Sequence, residues 1–358
     1  MTAGDAVPHP EARRPSLGRR LLRRVPLLGA AVGVVLALWL VAANDVGAVA
    51  DAFGRVGVLG IVAVVLVRVV IVGLCGIAWA RVLSGLVGLA SGPFVLLRFV
   101  REGVNVLLPV ASVGGEVLGA RLLTFWGVTG AASAAGILVD MFFQVVTQAL
   151  FALTGVVLLS QLEGEQAATL AAWCAKGLAL SGVVLAAFFA VQRYGGAAFV
   201  ERRVSALARR FAAEGGAAPV GGGVQAALDA VWDRRRGLPL AEGFLLHLAA
   251  WFLGALEIWI ALRCIGIEGV TFAEAVVLES LSQAIKSAAF PVPSGLGVQE
   301  GGFVLLGSLF GIDPHTALAL SLVKRVPDVV LGLPALLAWQ MIEARRGLMV
   351  PPAAPPAI

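Results

Sequence analysis

Phe290-Pro-Val-Pro-Ser-Gly-Leu-Gly-Val-Gln-Glu-Gly-Gly302 interrupts an apolar region in the second half of the chain, and Pro109-Val-Ala-Ser-Val-Gly-Gly-Glu116 interrupts another in the first half. The pieces on either side of each break are apolar but too short to cross a hydrocarbon layer comfortably, which takes about 20 helical residues. Irregular backbone is tolerated at membrane depth where protein or water satisfies its polar groups. We therefore predict two re-entrant helix pairs, over residues 93–127 and 272–312, each returning to the side that it entered.

Composition defines the class of protein around these two breaks. Of the 358 residues, 59% are hydrophobic and only 14% are charged, whereas soluble domains carry about 25% charged residues. The mean hydropathy is +0.94, and the apolar blocks are long enough to cross about 30 Å of hydrocarbon as helices. The sequence predicts an all-α integral membrane protein and excludes an ordinary soluble protein.

Six apolar segments are predicted to cross the membrane completely. They are residues 26–43, 56–82, 131–159, 170–191, 243–263 and 316–340. The first segment follows an arginine-rich stretch and ends in small residues, so a cleaved signal peptide is an alternative interpretation for it. Its apolar core is longer than is usual in signal peptides, which favours a retained span.

The distribution of arginine predicts the orientation of these spans. If the re-entrant pairs make no net crossing, the N-terminus, residues 81–121, residues 192–242 and the C-terminus share one side, and these segments hold most of the arginines. Lys and Arg are retained on the cytoplasmic side. We therefore predict a multi-pass protein of the bacterial cytoplasmic (inner) membrane with both termini cytoplasmic. The net charge of +5 then reflects topology, and no nucleic-acid partner is expected.

The two breaks belong to an internal repeat. Pro109–Glu116 aligns with Pro293–Glu300, and residues 126–128 align with 310–312 at the same offset. Before the breaks, residues 98, 102 and 105 align with 279, 283 and 286, where the offset is slightly smaller because the second break is the longer one. In the predicted topology the first copy enters from the cytoplasmic face and the second from the outer face, which is the inverted arrangement of many secondary transporters.

The predicted organisation follows from this repeat. A basic cytoplasmic tail covers residues 1–25, a single transmembrane domain covers 26–342, and a Pro/Ala-rich cytoplasmic tail covers 343–358. Within the domain, the first repeat spans about 56–159, a cytoplasmic linker spans about 192–242, and the second repeat spans about 243–340. In the linker, residues 197–213 fit either an amphipathic helix on the inner leaflet or a solvated loop.

Polar side chains recur on single faces of the predicted helices. The spacing i, i+4, i+7 occurs once in each re-entrant region, and three polar residues spaced four apart follow in the 131–159 span. Each charge near the bilayer centre costs about 2.5 to 3.5 kcal/mol, so we expect these groups to pair with one another or to line a hydrated cavity. The candidate substrate-binding or translocation residues are Arg98, Glu102, Asn105, Glu116, Arg121, Asp140, Gln144, Glu279, Gln283, Lys286, Gln299, Glu300, Lys324, Arg325 and Asp328.

Structural interpretations stand beside these functional ones. Arg98, Arg101 and Arg121 fit arginines at interface depth whose charged heads reach water. The other intramembrane charges fit ion pairs that only fix helix register. Glu116 and Glu300 follow the breaks and fit acids that complement a helix dipole.

Signatures of catalysis are not found in the sequence. It has no HExxH, nucleophile elbow or Walker loop. Cys75, Cys174 and Cys264 stand singly in apolar stretches with no metal-ligand spacing, and His247 fits a satisfied core histidine better than a ligand. We predict no enzyme activity, no metal and no cofactor.

The motifs also carry a family resemblance. The string P-x-P-x-G-L-G-x-x-E-G from Pro291, together with Leu108–Glu116, resembles the lysylphosphatidylglycerol synthase transmembrane (flippase-like) family over roughly residues 25–342. Within that family, residues 101–105, 279–283 and 320–325 look most like the hopanoid-biosynthesis-associated membrane protein branch. Full synthases of the family add a soluble aminoacyltransferase domain, so the resemblance implies the translocating part and not synthase activity.

The resemblance and the polar stripes together suggest a lipid transporter that moves or handles hopanoids or their precursors. The expected partners are a membrane lipid, hopanoid or phospholipid, and lipid-biosynthesis enzymes. The alternative is a membrane scaffold, or a lipid-binding partner of hopanoid enzymes, that moves nothing. A third hypothesis, an intramembrane transferase with Glu or Asp as base, is disfavoured by the missing motifs.

Overall fold

The computed structural model describes residues 46–108, 114–162, 165–194, 223–289, 292 and 295–345. Across these residues the chain is all-α, and its sole β-type contact is an isolated bridge between Ser84 and Val87. The predicted tail 1–25, the predicted first span 26–43, the segment 197–213 and residues 346–358 lie outside the described residues, as do the proline-containing centres of both breaks.

The described part contains ten α-helices. In chain order they are α1 Val46–Leu83, α2 Ser91–Leu107, α3 Gly114–Leu123, α4 Gly130–Leu159, α5 Glu165–Arg193, α6 Val224–Val231, α7 Gly237–Ile265, α8 Phe272–Ala288, α9 Val298–Gly307 and α10 Pro314–Ala344. Short 3-10 turns, Thr124–Trp126 and Ser308–Phe310, follow α3 and α9, and a third, Arg234–Arg236, precedes α7.

Four of these helices are long and apolar enough to cross a membrane: α1, α4, α5 and α7. They contain the spans predicted at 56–82, 131–159, 170–191 and 243–263. Helix α10 contains the predicted span 316–340 and is 31 residues long, but it carries Lys324, Arg325 and Asp328 in its interior. It therefore has three charged residues within five positions, whereas the interior charges of the other four helices are more widely spaced.

One order of elements occurs twice along the chain. A long helix, a 17-residue helix, a 10-residue helix, a 3-10 turn and a long helix follow one another in α1 to α4 and again in α7 to α10. The α3–α4 and α9–α10 junctions also have the same local structure. Gly127 and Gly311 end the 3-10 turns with positive φ angles of 83° and 68°, a conformation that glycine adopts without strain.

Side-chain caps start the long helices after both glycines. Thr129 accepts a hydrogen bond from a backbone N–H at the start of α4, and Asp313 accepts one from the Thr316 N–H at 3.0 Å at the start of α10. Such caps satisfy backbone donors that would otherwise have no partner. Burial opposes the charge of Asp313, but hydrogen bonds from Thr316 hold the pKa of its carboxyl below the ordinary value.

Helices α1 and α7 pack side by side in opposite directions. Gly60 of α1 lies against Cys264 near the end of α7, whereas Gly243 near the start of α7 lies against Ala78. Further packing pairs include α4 with α8 and α2 with α10. In these two pairs a short helix of one half contacts a long helix of the other half.

The apolar core has two main parts with a polar layer between them. One part contains the first half of α1, the end of α4 and the start of α10, including Val64, Val156 and Leu320. The other contains the end of α1, α2 and the first half of α4, including Leu83 and Phe94. The charged residues at the centres of α1, α4, α7 and α10 lie between the two parts.

Candidate functional site

A polar cavity of about 140 Å³ lies in this layer, bordered by α1, α2, α4, α7 and α8. Five predicted site residues line it: Arg98, Glu102, Gln144, Gln283 and Lys286. The remaining wall is mixed, with Arg68, Ile71, Val72, Cys75, His247, Ala250 and Trp251. The cavity therefore combines charged and amide groups with an apolar wall.

Asp140 is the centre of the first polar network. It is fully buried in α4 and accepts hydrogen bonds from Arg101 Nη1 and Gln144 Nε2, both at 2.9 Å. Its second oxygen lies 2.9 Å from His247 Nε2 of α7, and Arg98 Nη1 lies 3.7 Å from the first oxygen. The network links α2, α4 and α7, and it places the predicted core histidine in a buried pair with a carboxylate.

Arg101 connects Asp140 to the short helix α3. Only 1% of this residue is exposed, and its Nη2 donates to Glu116 Oε1 at 3.0 Å. Its guanidinium also stacks over the Trp79 ring, 4.8 Å from the centroid. Asn105 donates to the other oxygen of Glu116 at 2.8 Å. Glu116 thus holds α2 and α3 together, which is more than a helix-dipole contact.

A second network joins α1, α7, α8 and α10. Arg68 binds Glu257 with two parallel hydrogen bonds of 2.8 and 2.7 Å, and it lies 3.5 Å from Asp328. Lys324 pairs with Glu279 and lies 3.6 Å from Glu257. Arginine–carboxylate pairs with two parallel bonds have the strongest geometry among side-chain ion pairs.

The second network is completed by an amide. Gln283 donates to Glu279 at 2.8 Å and also lines the cavity. Asp328 and Glu279, by contrast, do not line the cavity but support the residues that do.

The other predicted residues lie away from the cavity. Arg325 donates to Glu300 at 2.7 Å, and Ser321 and Gln299 continue this cluster. Arg121 pairs with Glu343 at the exposed end of α10. Arg121 is therefore not brought together with the cavity residues.

A second cavity is almost entirely apolar. It measures about 660 Å³ and lies between the start of α1 and α10. Phe53, Leu318, Leu322 and neighbouring valines line it, and the Arg325–Glu300 pair lies at its edge. Its size and lining suit a hydrocarbon chain rather than a polar group.

Two central residues were missed by the sequence analysis. Arg68 and Glu257 lie inside predicted spans, at 56–82 and 243–263, and they pair across α1 and α7 through two short hydrogen bonds. Their position inside predicted spans could have identified them, because a charged side chain within a span needs a partner or water. Their sequence separation of 189 residues gave no direct indication that they meet.

The two networks have charges of opposite sign at corresponding helix positions. Asp140 and Lys324 occupy corresponding positions of α4 and α10, as do Arg98 of α2 and Glu279 of α8. In the first half the cation is on the short helix and the acid on the long helix. In the second half the acid is on the short helix and the cation on the long helix. Other ion pairs join the two halves, since Arg68 of α1 pairs with Glu257 of α7.

The cavity wall offers groups that can recognise a polar ligand. Among the described residues, no group of three or more His, Cys, Asp and Glu side chains is arranged to hold a metal ion. The groups at the cavity wall are guanidinium, ammonium, carboxylate and amide groups. Such groups suit a polar or charged ligand, and Ile71, Val72 and Trp251 add an apolar part to the wall.

Long apolar helices around a buried polar layer define a multi-pass helical membrane protein. The chain belongs to the family described as the lysylphosphatidylglycerol synthase TM region, whose model matches residues 27–335. Membership relates the protein to lipid handling in membranes. No protein of curated function and no solved structure matches the chain.

Proposed function

We propose that the protein is a lipid transporter of the bacterial cytoplasmic membrane, with hopanoids or their precursors as the first candidate lipids. The observation that carries the proposal is the mixed polar cavity of about 140 Å³ in the middle of the bundle. A head group needs such a polar environment to cross between leaflets, whereas its tail remains in lipid. Family membership supports lipid handling, and the hopanoid assignment rests on the sequence resemblance.

The proposed architecture is six spans and two re-entrant pairs related by inversion, with both termini in the cytoplasm. The antiparallel α1–α7 pair and the repeated order of elements support this arrangement. In an inverted repeat the substrate site lies where the broken helices of both copies meet. The pairs α2–α3 and α8–α9 are the broken helices, and α2 and α8 both contribute to the cavity. Labelling of introduced cysteines from outside the cell at residues 195–222 would contradict this topology.

On this proposal the chain moves lipid without making or breaking covalent bonds. The head group passes through the polar layer, and the apolar groove beside α10 holds a hydrocarbon tail. Two further predicted site residues support the cavity wall: Glu279 accepts a hydrogen bond from Gln283, and Asp140 accepts one from Gln144.

A non-transporting scaffold is the second candidate, and the completeness of the ion pairs favours it. Arg68, Lys324 and Arg101 each have carboxylate partners, as charges that only fix helix register would. A scaffold would hold lipid or biosynthetic enzymes and would not accelerate lipid movement.

Reconstituted vesicles distinguish these candidates. Glu279→Gln and Lys286→Ala are compared with the unaltered protein in an assay selective for one leaflet, and the folded fraction of each sample is measured. A transport site predicts loss of lipid movement per folded molecule. A structural role predicts lower stability with lipid movement per folded molecule unchanged, and that result would remove these residues from the proposed pathway.

A further inference from the structure

A cysteine lies on the wall of the 140 Å³ cavity. Cys75 of α1 is 7% exposed and lines this cavity, whereas Cys174 of α5 and Cys264 near the end of α7 do not line it. Cys75 is therefore the cysteine that a molecule inside the cavity can touch. A thiol becomes a strong nucleophile when its surroundings favour loss of its proton, so the residues around Cys75 decide its chemistry.

His247 of α7 is a hydrogen-bond partner of this thiol. The imidazole is 1% exposed and also lines the cavity. Its Nε2 lies 2.9 Å from Asp140 Oδ1. An ionised carboxylate only accepts hydrogen bonds, so Nε2 carries a hydrogen, and in the neutral ring Nδ1 is the nitrogen left to accept a proton. His247 is therefore suited to act as the base for Cys75.

Asp140 fixes the orientation of the His247 ring. It is fully buried on α4, and its other oxygen accepts hydrogen bonds from Arg101 Nη1 and Gln144 Nε2, both at 2.9 Å. Three helices thus place a thiol, an imidazole and a carboxylate in one chain of contacts. A nucleophile, its base and a third group that orients the base form the arrangement that activates cysteine in proteins.

The charges and the space around Cys75 suit a small polar reactant. Arg98 of α2 and the protonated ring of His247 attract a negative sulfur, and Asp140 of α4 repels it. A nearby cation stabilises a thiolate. The cavity of about 140 Å³ has room for several molecules of the size of water, and hydrogen peroxide is only slightly larger than water.

We infer that Cys75 is a site of oxidation by hydrogen peroxide, with His247 as its base and Asp140 as the residue that positions His247. The observations that carry the inference are the chain of contacts from Asp140 through His247 to Cys75 and the position of the thiol on the cavity wall. The inference does not depend on lipid transport, since it concerns a modification of the protein itself.

The oxidation balances within the site. The sulfur attacks one oxygen of hydrogen peroxide, so an S–O bond forms and the O–O bond breaks. His247 accepts the thiol proton and passes it to the leaving oxygen. The products are a sulfenic acid on Cys75 and water, so the sulfur is oxidised by two electrons and the peroxide is reduced by two. Among the described residues no second cysteine lines the cavity, so the sulfenic acid has no neighbouring thiol with which to form a disulfide.

The experiment compares the three cysteines within one molecule. Detergent-purified full-length protein is exposed to hydrogen peroxide, sulfenic acid is trapped with dimedone, and mass spectrometry follows the trapped fraction at each cysteine over time. Cys264 is exposed and Cys75 is buried. We nevertheless expect Cys75 to react at least about tenfold faster, because an unactivated cysteine is only a few per cent thiolate near neutral pH. In protein unfolded with dodecyl sulfate the three rates should converge.

Variants assign the reactivity to the contacts of His247. His247→Gln is expected to slow trapping at Cys75 about tenfold or more and to leave the rate at Cys264 unchanged. Asp140→Asn is expected to slow Cys75 in the same direction, because the ring then loses the carboxylate that orients it. His315→Gln is the matched control, because His315 lies at the start of α10 and does not line the cavity. Circular dichroism and gel filtration establish that each variant is folded.

A purely structural role of these residues would give the opposite result. If His247 and Asp140 only stabilised the fold, their replacement would expose Cys75 and raise its rate of oxidation. Oxidation of Cys264 as fast as that of Cys75 in the folded, unaltered protein would overturn the inference, and this comparison needs no variant. A folded His247→Gln protein with an unchanged rate at Cys75 would overturn it as well.

Discussion

Asp140 and Lys324 lie at corresponding positions of α4 and α10, both buried, and carry opposite charges. Asp140 accepts a hydrogen bond from Arg101 of α2, and Lys324 pairs with Glu279 of α8. In both halves, therefore, the buried charge of the long helix pairs with an opposite charge on the 17-residue helix, α2 or α8. An opposite charge beside each of these two buried groups offsets part of the cost of removing it from water.

The Glu279–Lys324 pair predicts a large coupling energy. Glu279→Gln should lower the free energy of unfolding by about 3 to 5 kcal/mol, because it leaves a buried ammonium with only Glu257 nearby. Adding Lys324→Met should recover most of that loss, since both charges are then gone. Unfolding in detergent measures all three proteins. A double variant whose loss equals the sum of the single losses would contradict the pairing.

Arg68 should contribute far more to the free energy of unfolding than Arg55, an exposed residue of the same helix. Arg68→Met removes the partner of Glu257 and Asp328 and should cost about 3 to 5 kcal/mol of unfolding free energy. Arg55→Met, at an exposed position of α1, should change it by less than about 0.5 kcal/mol. Similar melting temperatures for the two variants would refute the role given to Arg68.

Close packing of α1 on α2 predicts a difference between two glycines. A Cβ on Gly76 would lie 2.6 Å from the Cα of Val95, whereas a Cβ on Gly73 would meet nothing within 4 Å. Gly76→Ala should therefore destabilise the protein by about 1 to 3 kcal/mol through overpacking. Gly73→Ala should be neutral or stabilising, because alanine favours a helix. Thermal unfolding of both variants checks this, and equal effects would contradict the observed crossing.

The two helix caps predict different responses to pH. Thr129→Ala and Asp313→Ala should each cost about 1 kcal/mol at neutral pH. The pKa of Asp313 is lower in the folded protein than its ordinary value of 3.8. Its contribution is therefore complete above that value and is lost as pH falls through the lower folded pKa. Unfolding measured against pH should show the deficit of Asp313→Ala shrinking below about pH 4 and that of Thr129→Ala staying constant.

The spans were largely predictable from sequence, because they depend on local residue patterns. Four predicted spans coincide with long apolar helices, and the match of residues 126–128 to 310–312 corresponds to the same glycine-capped turn. Local rules suffice where one segment determines its own structure.

The pairing of charges was not predictable in the same way. Arg68 meets Glu257 across 189 residues, and only the packing of α1 on α7 brings them together. Spacing along one helix cannot distinguish Glu279, which supports the wall, from Gln283, which lines the cavity. That distinction depends on the rotation of each helix against its neighbours.

The most direct measurement of the central claim is the rate of lipid movement between leaflets in vesicles containing the purified protein. A fluorescent lipid in the inner leaflet is followed as it becomes accessible to a membrane-impermeant quencher, at several numbers of protein copies per vesicle. The account predicts a rate that rises with protein number and that Lys176→Gln, a change on α5 away from the cavity, leaves unchanged. A rate equal to that of protein-free vesicles, for every lipid tried and with the protein folded and inserted, would contradict it.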